Sequence, residues 1–230
     1  MSLNLAAVSG WFAENERLVG LLVDALGQTL TMVFVSGVIG FLFGIPLGVL
    51  LHLTKPRGLL ENALLNRVIG TVVNIGRSIP FIILLVAIIP FTRFVIGSSI
   101  GTGAAIVPLT VGAIPFIARL VEGALLEVPS GLVEAAQAMG ATPLQIIRKV
   151  LLPEALPGII NGATITLVTL VSYSAMAGAV GGGGLGDVGI RYGYQRFDGT
   201  VMLITVVMLV ILVQLIQSAG DHLVKRVDHR

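Results

Sequence analysis

The chain has 230 residues, of which 55% are hydrophobic and only 11% charged, and a mean hydropathy of +0.99. A soluble domain carries about 25% charged residues, so this composition excludes a soluble globular fold and, being apolar rather than highly charged, also excludes disorder. The net charge is +2 with basic residues scattered between apolar stretches, which argues for membrane orientation and against nucleic acid, and the absence of cysteine excludes disulfides and thiolate metal sites.

In chain order the sequence reads as an all-α polytopic membrane helix bundle with five transmembrane helices. Residues 1–25 form an external N-terminal segment. Glu14 and Glu16 sit in its first 17 residues with no short basic region before a short apolar core, so it is not a cleavable signal. The first span covers about 26–53. Ser36, Gly40, Gly44 and Gly48 recur every four residues along it and place small side chains on one face, for close helix packing or for direct substrate contact. Pro46 should kink it. The second span, about 68–91, is interrupted by Asn74, Arg77, Ser78 and Pro80. It either spans throughout or begins as an interfacial helix and crosses only from about Gly76. The third covers about 100–120 with Pro108 and Pro115, the fourth about 159–180, the fifth about 200–219, and 221–230 is a cytoplasmic tail.

Five spans put the termini on opposite sides. One side holds Lys55, Arg57, Arg67, Arg119, Arg148, Lys149, Lys225, Arg226 and Arg230; the other holds Arg17, Arg93, Arg191 and Arg196. The positive-inside rule therefore places the C-terminus in the cytoplasm and the N-terminus outside. Arg77 remains within a span, as a functional charge or as a snorkelling side chain at the boundary. Arg119 and Glu122 are three apart, as a local helix pair requires. His52, His222 and His229 have no acidic or histidine partners at ligand spacing, so no metal site is expected.

The connection 127–154, cytoplasmic in this topology, has a helix–turn–helix grammar. Ser130 is placed to cap a helix running to Met139, with an apolar stripe of Leu132, Val133, Ala136 and Met139. Gly140 suits the left-handed position that ends it. Thr142, Pro143 and Gln145 spell a capping box with proline at the first helical position, and Pro153 and Pro157 should break the second helix after Leu151. Such a hairpin either rests on its own bundle or docks a soluble partner.

The spacing Glu134-Ala135-Ala136, three residues, Gly140, nine residues, Val150, one residue, Leu152-Pro153 resembles the EAA loop of ATP-binding-cassette importer permeases, with Val150 where that pattern usually has isoleucine. Arg77-Ser78-Ile79-Pro80-Phe81, the stretch 106–122, Leu151 to Gly158 and Tyr173-Ser174-Ala175-Met176 with the glycine run after it resemble the permease subunit of bacterial methionine importers. The resemblance covers about 28–194. It implies a type I importer in the bacterial inner membrane: two copies of this permease, two cytoplasmic ATPases carrying ATP and Mg, and an external methionine-binding lipoprotein. It implies that Glu134, Ala135, Ala136, Ala138, Met139, Gly140 and Ala141 are the ATPase-coupling positions. Glu134 either meets a basic partner or supports its own helix start.

No G-x-x-x-x-G-K-[ST] stretch occurs, so no cofactor is expected on this chain and ATP hydrolysis belongs to a partner. Gly181-Gly182-Gly183-Gly184-Leu185-Gly186 satisfies G-x-G-x-x-G but follows an apolar span rather than a strand, and reads as a flexible external hinge or a face toward the binding protein. Asp187, Arg191, Tyr192 and Tyr194 are candidate contacts to that protein, or solvated loop. Ser172, Tyr173, Ser174 and Met176 are pore or gate candidates, hydroxyls on one face and a flexible thioether for a narrow gate, or simply packing. The function expected is methionine import, L- and D-, by alternating access. The alternatives are an importer permease for another small solute and an ATP-independent secondary transporter.

Overall fold

The computed structural model describes residues 16–228. Its elements are α1 (Glu16–Thr54), α2 (Ala63–Ser78), α3 (Phe81–Ala87), α4 (Ile89–Ile96), α5 (Thr102–Leu126), α6 (Ser130–Ala138), α7 (Pro143–Ile146), a π-helical segment Ile147–Leu151, α8 (Leu152–Ala179), α9 (Gly184–Val188), a second π-helical segment Gly189–Tyr194, and α10 (Gly199–Val227). There is no strand among the described residues, as expected of a chain that must satisfy its backbone within each segment in lipid.

Among the described residues four helices are long and apolar enough to cross a membrane: α1, α5, the continuous helix Pro143–Ala179 and α10. A fifth crossing requires α2 and α3 together, and these meet at a bend of 100°. The second span read from the sequence is thus not one helix. Ile79 and Pro80 are extended, and the stretch 68–91 is divided among α2, α3 and α4. Proline at position 80 disfavours a helical residue before it, which is the local cause of the break.

α5 is the centre of the bundle, with α1 on one side and α8 on another. Lipid is as apolar as leucine, so helices in a bilayer gain stability by fitting closely rather than by escaping solvent. The four small residues of α1 are all buried and face α5. A Cβ on Gly44 would lie 2.7 Å from Ile117 Cβ, and one on Gly48 would lie 2.7 Å from Val121 Cβ. Ser36 donates its hydroxyl proton to the Ile106 carbonyl at 3.4 Å. The α8 side repeats the device: Gly158 faces Ala124 and Gly162 faces Leu120. Around these contacts Met32, Leu109, Ile117, Leu125 and Leu170 form the dry core.

Three boundaries differ from the sequence reading. α1 begins ten residues before the expected position 26, because Leu22 and Ala25 pack with Leu185, Val188 and Val201 in a second cluster. At 39 residues it is about 58 Å long at 1.5 Å per residue, nearly twice a hydrocarbon core of about 30 Å. Pro153 and Pro157 do not break the helix. Leu152 donates to the Ile147 carbonyl five residues back, so the π-helical turn has already shifted the hydrogen-bond register where Pro153 enters, and Pro153 stands in the first turn of α8, where its missing N–H costs little. α10 extends to Val227, through most of the expected tail; His229, Arg230 and residues 1–15 lie outside the described residues. α1 and α5 run unbroken through Pro46, Pro108 and Pro115.

Gly48→Val forces α1 and α5 apart, and overpacking of this kind costs about 1–3 kcal/mol. Gly20, on the same helix, is the control, because a Cβ added there would meet nothing within 4 Å. Thermal aggregation of the detergent-solubilised protein should begin at lower temperature for Gly48→Val and stay within error of wild type for Gly20→Val.

Candidate functional site

The expected coupling positions lie on α6 and the turn after it. Ser130 does not cap α6. It is the first helical residue, and Pro129 occupies the cap position without a side-chain hydrogen bond. The other end follows the expectation: Gly140 has φ +77°, its N–H donates to the Gln137 carbonyl at 2.9 Å, and Ala141 N–H donates to the Ala136 carbonyl at 3.0 Å. This is the paired-bond Schellman ending, which needs a left-handed residue. The chain then enters α7 through the full capping box, with Gln145 N–H on the Thr142 hydroxyl and Thr142 N–H on the Gln145 side chain.

The expected apolar stripe is split. Ala136 is buried and Val133 half-buried against the bundle, while Leu132 and Met139 point out, Met139 being 82% exposed. Glu134, Ala135, Ala138 and Gly140 are exposed and Ala141 is half-buried. So Ala136 serves the contact of α6 with its own bundle, and the remaining expected positions form the outer surface. Beside α6 lies a polar groove of about 540 Å³ walled by His52, Lys55, Arg57, Glu127, Glu134 and Gln137. The sequence reading did not single out this groove, because its two walls come from distant parts of the chain. Burial pushes the Lys55 ammonium below its usual range, and Glu122 partly offsets that.

The glycine run sits at the other end of α5. It is not a flexible hinge. Gly181, Gly183 and Gly184 have φ between +79° and +87°, Gly184 N–H donates to Gln28 Oε1 at 2.7 Å, Leu185 N–H donates to Thr29 Oγ1 at 2.9 Å, and Gly101 N–H donates to the Gly181 carbonyl at 2.8 Å. Gly178 lies against the backbone of Asp187, and Gly186 against that of Ala175. The run is a locked reversal that presses α9 onto the end of α8. Next to it Asp187 pairs with Arg191 at 2.8 Å, the Arg196 guanidinium lies 4.5 Å from the Tyr192 ring centre, and Tyr194 is 69% exposed.

The four pore candidates do not share a face. Ser172 and Met176, one turn apart, line an apolar cleft of about 660 Å³ with Ile82, Leu209, Val213 and Gln214. Ser174 is buried and donates to the Val171 carbonyl at 2.7 Å. Tyr173 points about 100° away from Ser172 and stacks on Phe81, with ring centres 4.3 Å apart and planes within 2°. The Arg119–Glu122 pair forms as its spacing suggests, and Arg119 also donates to Asn74 Oδ1 at 2.8 Å, tying α5 to α2. Arg77 is exposed at the end of α2. No group of three or more histidines, cysteines, aspartates or glutamates at metal-binding distance occurs among the described residues.

Known proteins share this arrangement. A probable D-methionine transport system permease protein MetI of Vibrio cholerae serotype O1 is 69% identical over 230 residues, the whole of both chains. The D-methionine transport system permease protein MetI of Escherichia coli K12 is 65% identical over 164 residues, 71% of this chain and 76% of that one. A chain of the MetNI methionine ABC transporter, solved in inward facing conformations, superposes with a TM-score of 0.92 at 63% identity over 93% of this chain and 99% of that one. A chain of an amino acid ABC transporter solved with histidines shares the fold, with a TM-score of 0.77 at 17% identity over 98% of this chain and all of that one. The family model described as binding-protein-dependent transport system inner membrane component matches residues 44–229. With that match over most of its length, the chain belongs to the family of binding-protein-dependent transport system inner membrane components.

Proposed function

We propose that this chain is the membrane-spanning permease subunit of an ATP-driven importer that moves methionine, in both L- and D-forms, across the bacterial inner membrane by alternating access. A relative of 69% identity is named a probable D-methionine transport system permease and one of 65% identity a D-methionine transport system permease, and the fold matches that of a methionine ABC transporter chain at 63% identity. The observation that carries the reading is the rigid turn at Gly140, left-handed and exposed, at the tip of a helix whose outer surface has no use within the bundle. An ATP-independent transporter is disfavoured by the family match.

In the working transporter two copies of the chain pair in the membrane. Each offers Glu134, Ala135, Ala138, Met139 and Gly140 to one of two cytoplasmic ATPase subunits, which hold ATP and Mg. The short side chains permit close approach, and Met139 adapts to an apolar pocket. An external methionine-binding lipoprotein meets the end that carries the locked glycine reversal, with Asp187, Arg191, Tyr192 and Tyr194 beside it. The N-terminus lies outside and the C-terminus in the cytoplasm. No bond is made or broken on this chain. ATP binding biases two packings of the bundle because the coupling surfaces make different contacts in each. Met176, half-exposed in the cleft of α8 and α10, narrows the path.

Gly140→Arg should reduce retention of the ATPase subunits in co-purification by about tenfold, equivalent to about 1.4 kcal/mol. Gly97→Arg is the control. It carries the same positive-φ strain with open space around it, but lies at the other end of α5 and should retain them. In reconstituted vesicles containing all subunits, the wild type should take up labelled methionine with ATP. Met176→Ala should leak methionine without ATP or hydrolyse ATP without proportionate transport. Wild-type coupling in that variant would remove Met176 from the path.

A further inference from the structure

Two arginines stand near the interruption between α2 and α3, and the fold treats them differently. Arg119 is fully engaged, with Glu122 and Asn74. Arg77 makes no hydrogen bond or ion pair with any described residue. Its neighbour Ser78 spends its hydroxyl on the Asn74 carbonyl at 2.8 Å. Arg77 is exposed at the end of α2 and lines a cavity, so its guanidinium N–H groups are free to meet an anion there.

The cavity is there. Arg77 shares a pocket of about 150 Å³ with Gly76, Phe81, Gly112, Phe116 and Tyr173. At about 30 Å³ for each water, this is the volume of about five waters. One wall is the parallel Phe81–Tyr173 stack, rigid because Phe81 is only 6% exposed. The Tyr173 hydroxyl makes no hydrogen bond to a described residue. The pocket therefore offers a planar cation, an uncommitted hydroxyl and aromatic faces, at the 100° bend between α2 and α3. Interrupted helices are where membrane carriers commonly hold their cargo.

We propose that this pocket is a binding site for the transported amino acid within the permease. The claim rests on the transport reading above and goes beyond it by naming the residues. Arg77 holds the carboxylate through its forked N–H groups. The Tyr173 hydroxyl accepts a hydrogen bond from the ammonium. The side chain lies against Phe81 and Phe116, where a thioether makes favourable sulfur–aromatic contacts. The site discriminates on two counts, a free carboxylate and an uncharged side chain. Because α2 and α3 meet inside it, a change in their bend alters the distance from Arg77 to the rings and couples occupancy to the state of the bundle.

The test uses the transporter with its ATPase subunits in lipid nanodiscs and a diazirine analogue of methionine as probe. After illumination, mass spectrometry should find label on peptides containing Phe81, Phe116 or Tyr173. Unlabelled methionine should abolish that label, and methioninamide, which lacks the carboxylate, should compete about tenfold more weakly. Arg77→Gln should lower the label about tenfold, and competition by the amide and the acid should then become equal. Arg77→Lys should recover part of the label, and both variants should retain their ATPase subunits. Label confined to the Ser172–Met176 cleft or to other peptides, equal competition by amide and acid in the wild type, or wild-type labelling of Arg77→Gln would overturn the site. Methionine import by the wild type without label in this pocket would sink the site alone, whereas absence of import would sink the transport reading.

Discussion

Close approach of helix backbones is the constraint on which this molecule depends. A bilayer supplies no hydrophobic drive between helices, so α1, α5 and α8 are held by contact area, and contact area requires small residues at the crossings. Gly40, Gly44 and Gly48 provide it on one side of α5, and Gly158 and Gly162 on the other. The same device closes the end of the bundle, where Gly178 and Gly186 let α9 lie backbone against backbone on α8. Outside this dense centre lie α2 to α4, the α6 turn, and α10, which is buried least of the long helices.

That division of labour explains the placement of the chemically active groups. Several polar side chains in the centre are spent on the fold. Thr166, Ser174 and Thr205 return their hydroxyls to carbonyls three or four residues back. Thr110 on α5 and Thr92 keep buried hydroxyls without a partner among the described residues, and further uncommitted groups lie at the edges of the packed core: Arg77 at the break between α2 and α3, Gln214 in the α8–α10 cleft, and the groove of His52, Lys55 and Arg57 beside α6. A transporter needs this arrangement, because a group that already satisfies the resting fold has little left with which to favour one state over another.

The α6 element shows how a local signal and a global one divide the same residues. Gly140 with its paired backbone bonds, and Thr142 with Gln145, depend on neighbours within five residues and were legible in the sequence. The inward turn of Ala136 was not. Its burial depends on the packing of α6 against distant parts of the bundle, so of Ala135 and Ala136, identical in composition, one is exposed and the other buried. The four candidates at 172–176 were separated for the same reason, since consecutive helical residues point about 100° apart and only the neighbours decide what each one meets.

By itself the sequence determined the class of the protein, four of its long apolar helices, the small-residue face of α1, the Arg119–Glu122 pair, the Gly140 turn and the family signature. Each of these rests on composition or on residues close along the chain, where propensity and spacing decide. Only the tertiary structure decided that the glycine run is a locked reversal, through Gln28 and Thr29 some 156 residues away. It also showed that α1 reaches back to Glu16, that Pro153 continues a helix, that the second span is bent by 100°, and that Tyr173 stacks on Phe81 beside an unpaired Arg77. These depend on which distant backbones approach closely enough to share a hydrogen bond or a van der Waals surface, and that is a property of the packed bundle rather than of any stretch within it.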